Sequence, residues 1–227
     1  MTYVENIFVC LAAPLLVAMI FMGKKSCRFF LFAFAGMGAC LLSAYLNSFF
    51  AQLYQADLMN ASTQIAPVVE EVMKLMPLLF YLLVFEPESE RIPSSVLTIA
   101  VSFATFENIV YLTQSGAENL AHLFIRGFGT GAMHIVCGAI ICYGLVYVWQ
   151  RNWLKIAGTA GLLGASITYH ATYNLLVAHG GITQYIGYAL PLVSLLLTGV
   201  MIKLATQLPS PVEVAKEGGA EESQIWK

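Results

Sequence analysis

Ala66-Pro67-Val68-Val69-Glu70-Glu71-Val72-Met73-Lys74-Leu75-Met76-Pro77 opens an apolar run that ends near Phe85, and it sets two adjacent carboxylates and an ammonium inside that run. A charge near the centre of a bilayer costs roughly 2.5–3.5 kcal/mol even on the most lenient scale, so three together call for a reason. On a helix, Lys74 lies one turn beyond both Glu70 (i+4) and Glu71 (i+3), within reach of either. The two glutamates point about 100° apart and cannot serve one partner identically. Pro77 removes an amide and crowds the Met73 carbonyl, which predicts a loosened or kinked helix just past the charges. Irregular backbone at membrane depth is tolerated where protein or a water-filled cavity surrounds it. A wet, buried site is the expectation.

Composition supports a membrane setting. The chain has 227 residues, 59% of them hydrophobic and 11% charged, with a mean hydropathy of +0.74. A soluble domain would carry about 25% charged residues. The predicted fold class is an all-α, polytopic membrane bundle of about seven transmembrane helices. No basic run points to nucleic acid, which is not expected as a partner. Cys10, Cys27, Cys40, Cys137 and Cys142 show no C-x-x-C spacing and mostly fall in apolar runs, so they read as small buried thiols.

Seven apolar segments are long enough to cross, each crossing needing about 20 residues. They lie near 4–22, 29–50, 65–85, 95–113, 124–149, 153–177 and 182–204. Residues 1–22 read as a retained first span, since Glu5 stands where a leader would carry basic residues. Residues 1–206 are expected to form one membrane-embedded domain with its core motifs in 65–177. The polar tail, 207–227, is rich in Glu, Gly and Pro and is expected to be disordered and cytoplasmic. Lys24, Lys25, Arg28, Arg151, Lys155 and Lys203 fall on one side if all seven spans are real. That side is predicted to be cytoplasmic, leaving the N-terminus outside. Glycines cluster in the second, fifth and sixth spans, and Gly127 with Gly131 forms a small-xxx-small pair that predicts close helix approach.

The remaining intramembrane polar residues are few. Phe106-Glu107-Asn108-Ile109-Val110-Tyr111 places Glu107 and Tyr111 on one helical face, His134 sits in the fifth span, and His170 and Asn174 lie one turn apart in the sixth. Alternating span directions then bring Glu70, Glu71, Glu107, His134 and His170 to a common depth, roughly 8–15 Å from the outer ends. Scattered structural groups would not share a level, so one convergent site is expected. His122 and His179 fall at outer loop edges and read as solvated.

Carboxylates and imidazoles in this number can hold and activate a water, with His170, His134 or the Asn174 amide stabilising an oxyanion. A second route recruits a metal such as zinc, with His134, His170 and Glu71 or Glu107 as candidate ligands and a remaining glutamate as base. The helical H-E-x-x-H zinc signature and G-x-S-x-G are both missing from the chain. The residues leave both routes open.

Glu70-Glu71-x-x-Lys74, Phe106-Glu107-x-x-x-Tyr111, His134-x-x-x-Gly138 and His170-x-x-x-Asn174 resemble, in order and spacing, the four motifs of the PrsW intramembrane proteases. These belong to the superfamily that includes the CAAX prenyl proteases and bacteriocin-processing proteins. The resemblance spans residues 67–174 and implies an endopeptidase that cuts a membrane-associated protein, an anti-sigma factor in some members, in a bacterial or archaeal plasma membrane. It implies Glu70 as the water-activating base, Glu71 assisting, Lys74 holding the pair, and Glu107, His134 and His170 completing the site. Asn174 stands where PrsW proteins commonly have aspartate, which makes it a better oxyanion donor than metal ligand. Two rival classes remain at this stage: a catalytically silent membrane scaffold on the same fold, and a proton-coupled transporter. The second normally shows repeated halves, and none is evident here.

Overall fold

In the computed structural model, residues 4–115 and 119–207 are described, and all of their regular structure is helical. Seven long helices coincide with the seven apolar segments: α1 (Val4–Met19), α2 (Lys24–Leu53), α4 (Ala66–Phe85), α5 (Ile92–Ser115), α6 (Leu120–Val148), α7 (Lys155–Ala178) and α8 (Gly181–Gln207). A single turn, α3 (Leu58–Asn60), is capped by Asp57, whose side chain accepts from the Asn60 amide at 2.7 Å. The tail beyond residue 207 lies outside the described residues. The chain up to Leu192 forms one unit, and a second unit begins at Val193 and continues α8.

Two expectations about backbone and packing change. Helix α4 runs unbroken through Pro77, and the irregular turn lies before the charges instead, as a π-helix over Ala61–Ile65. A π-turn relieves the register where Pro67, in the first turn of α4, lacks an amide to give. Gly127 and Gly131 have nothing within 4 Å of where a Cβ would stand, so that pair makes no helix contact. Close approach occurs at Gly36, against the Ile99 carbonyl, and at Gly138, 2.9 Å from the Ala100 Cβ. These two glycines let α2 and α6 press on two different faces of α5.

The helices close a ring in the order α2, α5, α6, α7, α4 and back to α2, with α1 outside against α2 and α5. The ring is built from stripes at helical spacing. Leu75, Leu78 and Leu82 on α4 meet Ile92, Val96 and Ile99 on α5 and Ile141 and Leu145 on α6. One turn further along α5, Phe103 and Phe106 pack with Met37 and Cys40 of α2 and Phe8 of α1. Glu71 and Lys74 continue the Leu75 stripe, and His134 continues that of Ile141. The polar groups therefore occupy core positions at one level of the ring.

By length and composition, four helical stretches among the described residues suit a bilayer crossing: Ser26–Leu53, Ser89–Gln114, Leu120–Val148 and Gly181–Val200. Helix α4 carries three charges in its first half, and α7 carries Thr159, Ser166, His170 and Asn174. Glu71, Lys74, Ser166 and His170 lie on the buried, inward faces of these two helices, which shields them from lipid while the outer faces stay largely apolar. The chain is an integral membrane protein.

Candidate active site

Glu71 lies at the centre of the polar layer and is fully buried. Its Oε1 accepts from Lys74 Nζ at 2.6 Å and from His170 Nδ1 at 2.7 Å, and its Oε2 accepts from Ser166 Oγ at 2.9 Å. The lysine thus goes to the i+3 carboxylate, and Glu70 is left to other partners. Lys74 reaches across the ring as well, with Nζ 3.0 Å from His134 Nδ1 and 5.0 Å from the Phe103 ring centroid.

An ammonium can only donate, so His134 Nδ1 accepts and Nε2 carries the ring proton. That proton goes to Glu107 Oε2 at 2.6 Å. Glu107 in turn lies 3.4 Å from Arg126 Nη2, and the Arg126 guanidinium sits 3.5 Å over the Tyr111 ring. Tyr111 and Glu107, one turn apart on α5, are therefore both answered by one arginine from α6. The Tyr111 hydroxyl meets His122 Nε2 at 3.4 Å rather than the carboxylates.

Glu70 is held differently. Its Oε1 accepts from Asn47 Nδ2 of α2 at 3.2 Å, while Oε2 is buried with no hydrogen-bond partner among the described residues and lies 3.8 Å from His170 Nε2. Because His170 Nδ1 donates to Glu71, its Nε2 presents a lone pair. Two acceptors thus face each other across a gap too wide for a direct bond. A water between them would donate a proton to each and turn its own lone pairs outward.

Both groups line a cleft of about 310 Å³ bounded also by Ser62, Glu107, Arg126 and Asn174. Asn174 Nδ2 donates to the Ser62 carbonyl at 2.8 Å, tying the π-helix to α7. Asn174 is thus on the cleft wall but outside the network around Glu71. Asn47, Ser166 and Arg126 are not among the site residues expected from the sequence. Arg126 carries the one signal that could have found it, a charge within an apolar run, whereas a serine hydroxyl in a helix carries none.

Glu70, His134 and His170 each offer an atom within 4.8 Å of the others, a spacing at which a metal ion can be held. This set replaces the expected carboxylates Glu71 and Glu107: the first is saturated by three donors, and the second is bonded to His134. His170 suits a ligand role, with its far nitrogen fixed by a carboxylate. His134 does not suit it as held, because its Nε2 bears the proton given to Glu107 while Nδ1 receives the ammonium.

The family model for the PrsW family intramembrane metalloproteases matches residues 24–200. No curated protein and no solved structure matches the chain significantly.

Proposed function

Because the chain belongs to the PrsW family and is an intramembrane protease, we propose that it hydrolyses a peptide bond of a membrane-spanning protein with a water held between Glu70 and His170. The observation that carries this reading is the bare Glu70 Oε2 facing the free nitrogen of His170 at 3.8 Å on the cleft wall. Ionised Glu70 takes a proton from the water as its oxygen attacks the scissile carbonyl, and later delivers that proton to the leaving amine. Asn174 spends one amide proton on the Ser62 carbonyl. Its second serves the developing oxyanion. Glu71 and Lys74 hold His170 and His134 in fixed tautomers, and do not exchange protons with substrate.

Zinc fits two of the three candidate positions and not the third, so no step is assigned to it. If bound, it would rest on Glu70 and His170 and supply an activated water. It would also require His134 to give up its bond to Glu107. A substrate that is itself anti-sigma-factor-like, an outer-leaflet position for the cleft and a cytoplasmic C-terminus complete the proposal.

The test uses purified protein and a single-span membrane substrate. Cleavage by wild type, with Glu70→Gln and His170→Ala inactive, supports the assignment. Equal cleavage by all three overturns it. Wild-type function retained in the Glu70→Gln variant without any cleavage would favour a scaffold.

A further inference from the structure

A second cavity, of about 610 Å³, lies at the opposite end of α4 from the cleft, between α4 and α2. Its walls are Leu31, Phe32 and Ala35 on α2 and Pro77, Phe80, Tyr81 and Phe85 on α4, with Arg28, Pro87 and Arg91 completing the lining. The Phe32 and Tyr81 rings, both in the lining, pack edge-to-face at 4.9 Å. Both guanidiniums sit at one end. Arg28 is at the start of α2 and Arg91 lies just past the end of α4, whereas Ala35 and Pro77 close the inner end. At 1.5 Å per residue the groove descends roughly 10–12 Å from its charged mouth.

The charges at the mouth are unequal. Arg91 is paired with Glu88 at 3.1 Å, and its side chain is 48% exposed. Arg28 is half-buried and makes no hydrogen bond or ion pair among the described residues. The acidic Glu86 lines a different cavity, with Lys155 and Trp149, and does not reach the groove. The mouth therefore carries net positive charge over an apolar, aromatic slot that runs along the helices.

We infer that this groove binds one membrane phospholipid with an anionic headgroup, its phosphate on Arg28 and Arg91 and one acyl chain along Phe32, Tyr81 and Phe80. A guanidinium matches a phosphate in two directions, and basic pockets between membrane helices select acidic headgroups. The depth suits the upper part of one chain and keeps the phosphate at the membrane surface. An extended peptide segment would need partners for its amides, which an apolar, aromatic wall supplies poorly. The site is independent of the cleft, since Pro77 at its inner end lies seven residues along α4 from Glu70.

The experiment is native mass spectrometry of the full chain, released from detergent in the presence of phosphatidylglycerol or of phosphatidylcholine with the same acyl chains. Wild type should retain phosphatidylglycerol about fivefold better, a factor expected of one well-placed guanidinium. Arg28→Gln should bring the two lipids near parity, and Arg28→Gln with Arg91→Gln should remove the preference entirely. Ala35→Trp, which fills the inner end and leaves the charges in place, should lower retention of phosphatidylglycerol. Lys24→Gln, a nearby surface charge outside the groove, should leave the preference unchanged. Equal retention of the two lipids by wild type overturns the inference, as does a preference that survives the double arginine variant. A loss in Lys24→Gln as large as in Arg28→Gln also overturns it, since general surface charge would then be responsible.

Discussion

Glu71 has three side-chain donors and Glu70 has one, although the two carboxylates leave adjacent positions of α4. The difference follows from helical geometry. Glu71 points to the interior of the ring, where α6 and α7 supply Lys74's second partner and its own donors. Glu70 is turned about 100° away, towards α2 and the cleft. One residue is thereby fixed as a hub and the other keeps an oxygen for solvent.

This asymmetry predicts two different failures. Glu70→Gln should leave the thermal midpoint nearly unchanged and reduce cleavage by about 10²–10⁴-fold, the range typical of a lost general base. Glu71→Gln should destabilise the protein by about 3–5 kcal/mol, because Lys74 would be left as an uncompensated buried charge. Parallel melting curves and cleavage assays check this. A folded, inactive Glu71→Gln beside an active Glu70→Gln would reverse the two roles.

Ser166 offers a milder perturbation of the same hub. Its hydroxyl donates to Glu71 Oε2 at 2.9 Å from a fully buried position. Ser166→Ala removes a hydrogen bond to a charged group, for which about 1.5–3 kcal/mol is usual. The lower end is expected, since Lys74 and His170 still satisfy the carboxylate. Cleavage at low temperature should fall by less than it does in Glu70→Gln, and a denaturation midpoint measured in detergent should shift downward.

Much of the arrangement is legible in the sequence. Counting residues from the helix ends puts Glu70, Glu107, His134 and His170 at one depth because rise per residue is constant and the spans alternate in direction. What counting does not supply is which faces meet. Lys74 can pair with Glu70 or Glu71 on spacing alone, and only the placement of His134 on α6 decides for Glu71. The Gly127/Gly131 pair has the right spacing for helix contact but faces open space, whereas Gly36 and Gly138 make the contacts with nothing to distinguish them locally. Arg126 sits near the end of an apolar run, where a charge reads as a boundary marker. The π-turn before Pro67 is tied to α7 by the bond from Asn174 to the Ser62 carbonyl, a contact between residues 112 apart that no local pattern announces.

Arg126 separates charge from shape. Arg126→Gln leaves Glu107 without its cation, so the carboxylate is free to pull His134 away from its present contact. Cleavage should drop by up to about a hundredfold, the size of an ångström-scale misplacement. Arg126→Lys keeps the charge but loses the flat stacking on Tyr111, and should recover only part of the loss. Full recovery would show that charge alone matters.

Metal dependence follows from the state of His134. With its Nε2 proton on Glu107 and its Nδ1 facing Lys74, the expected result is little zinc in purified, active protein and no loss of cleavage after chelation. Added zinc should not raise the rate, because with His134 bonded to Glu107 only Glu70 and His170 are open to it. Stoichiometric zinc, with activity lost on chelation and restored by zinc, would mean that His134 changes tautomer to become a ligand and would replace the water-only account.

Helix packing supplies the last test. At Gly36 an added methyl would collide with the Ile99 carbonyl, which belongs to the backbone of α5 and cannot swing aside. Gly36→Ala must push α2 away from α5, and overpacking of this kind costs about 1–3 kcal/mol. Because α2 carries Asn47, the shift also loosens the one donor that Glu70 has, so cleavage should fall together with stability. Gly131→Ala meets nothing within 4 Å and adds helix propensity, so it should be neutral or slightly stabilising. Equal effects of the two substitutions on the melting midpoint would contradict the packing of α2 on α5 that places Asn47 beside the cleft.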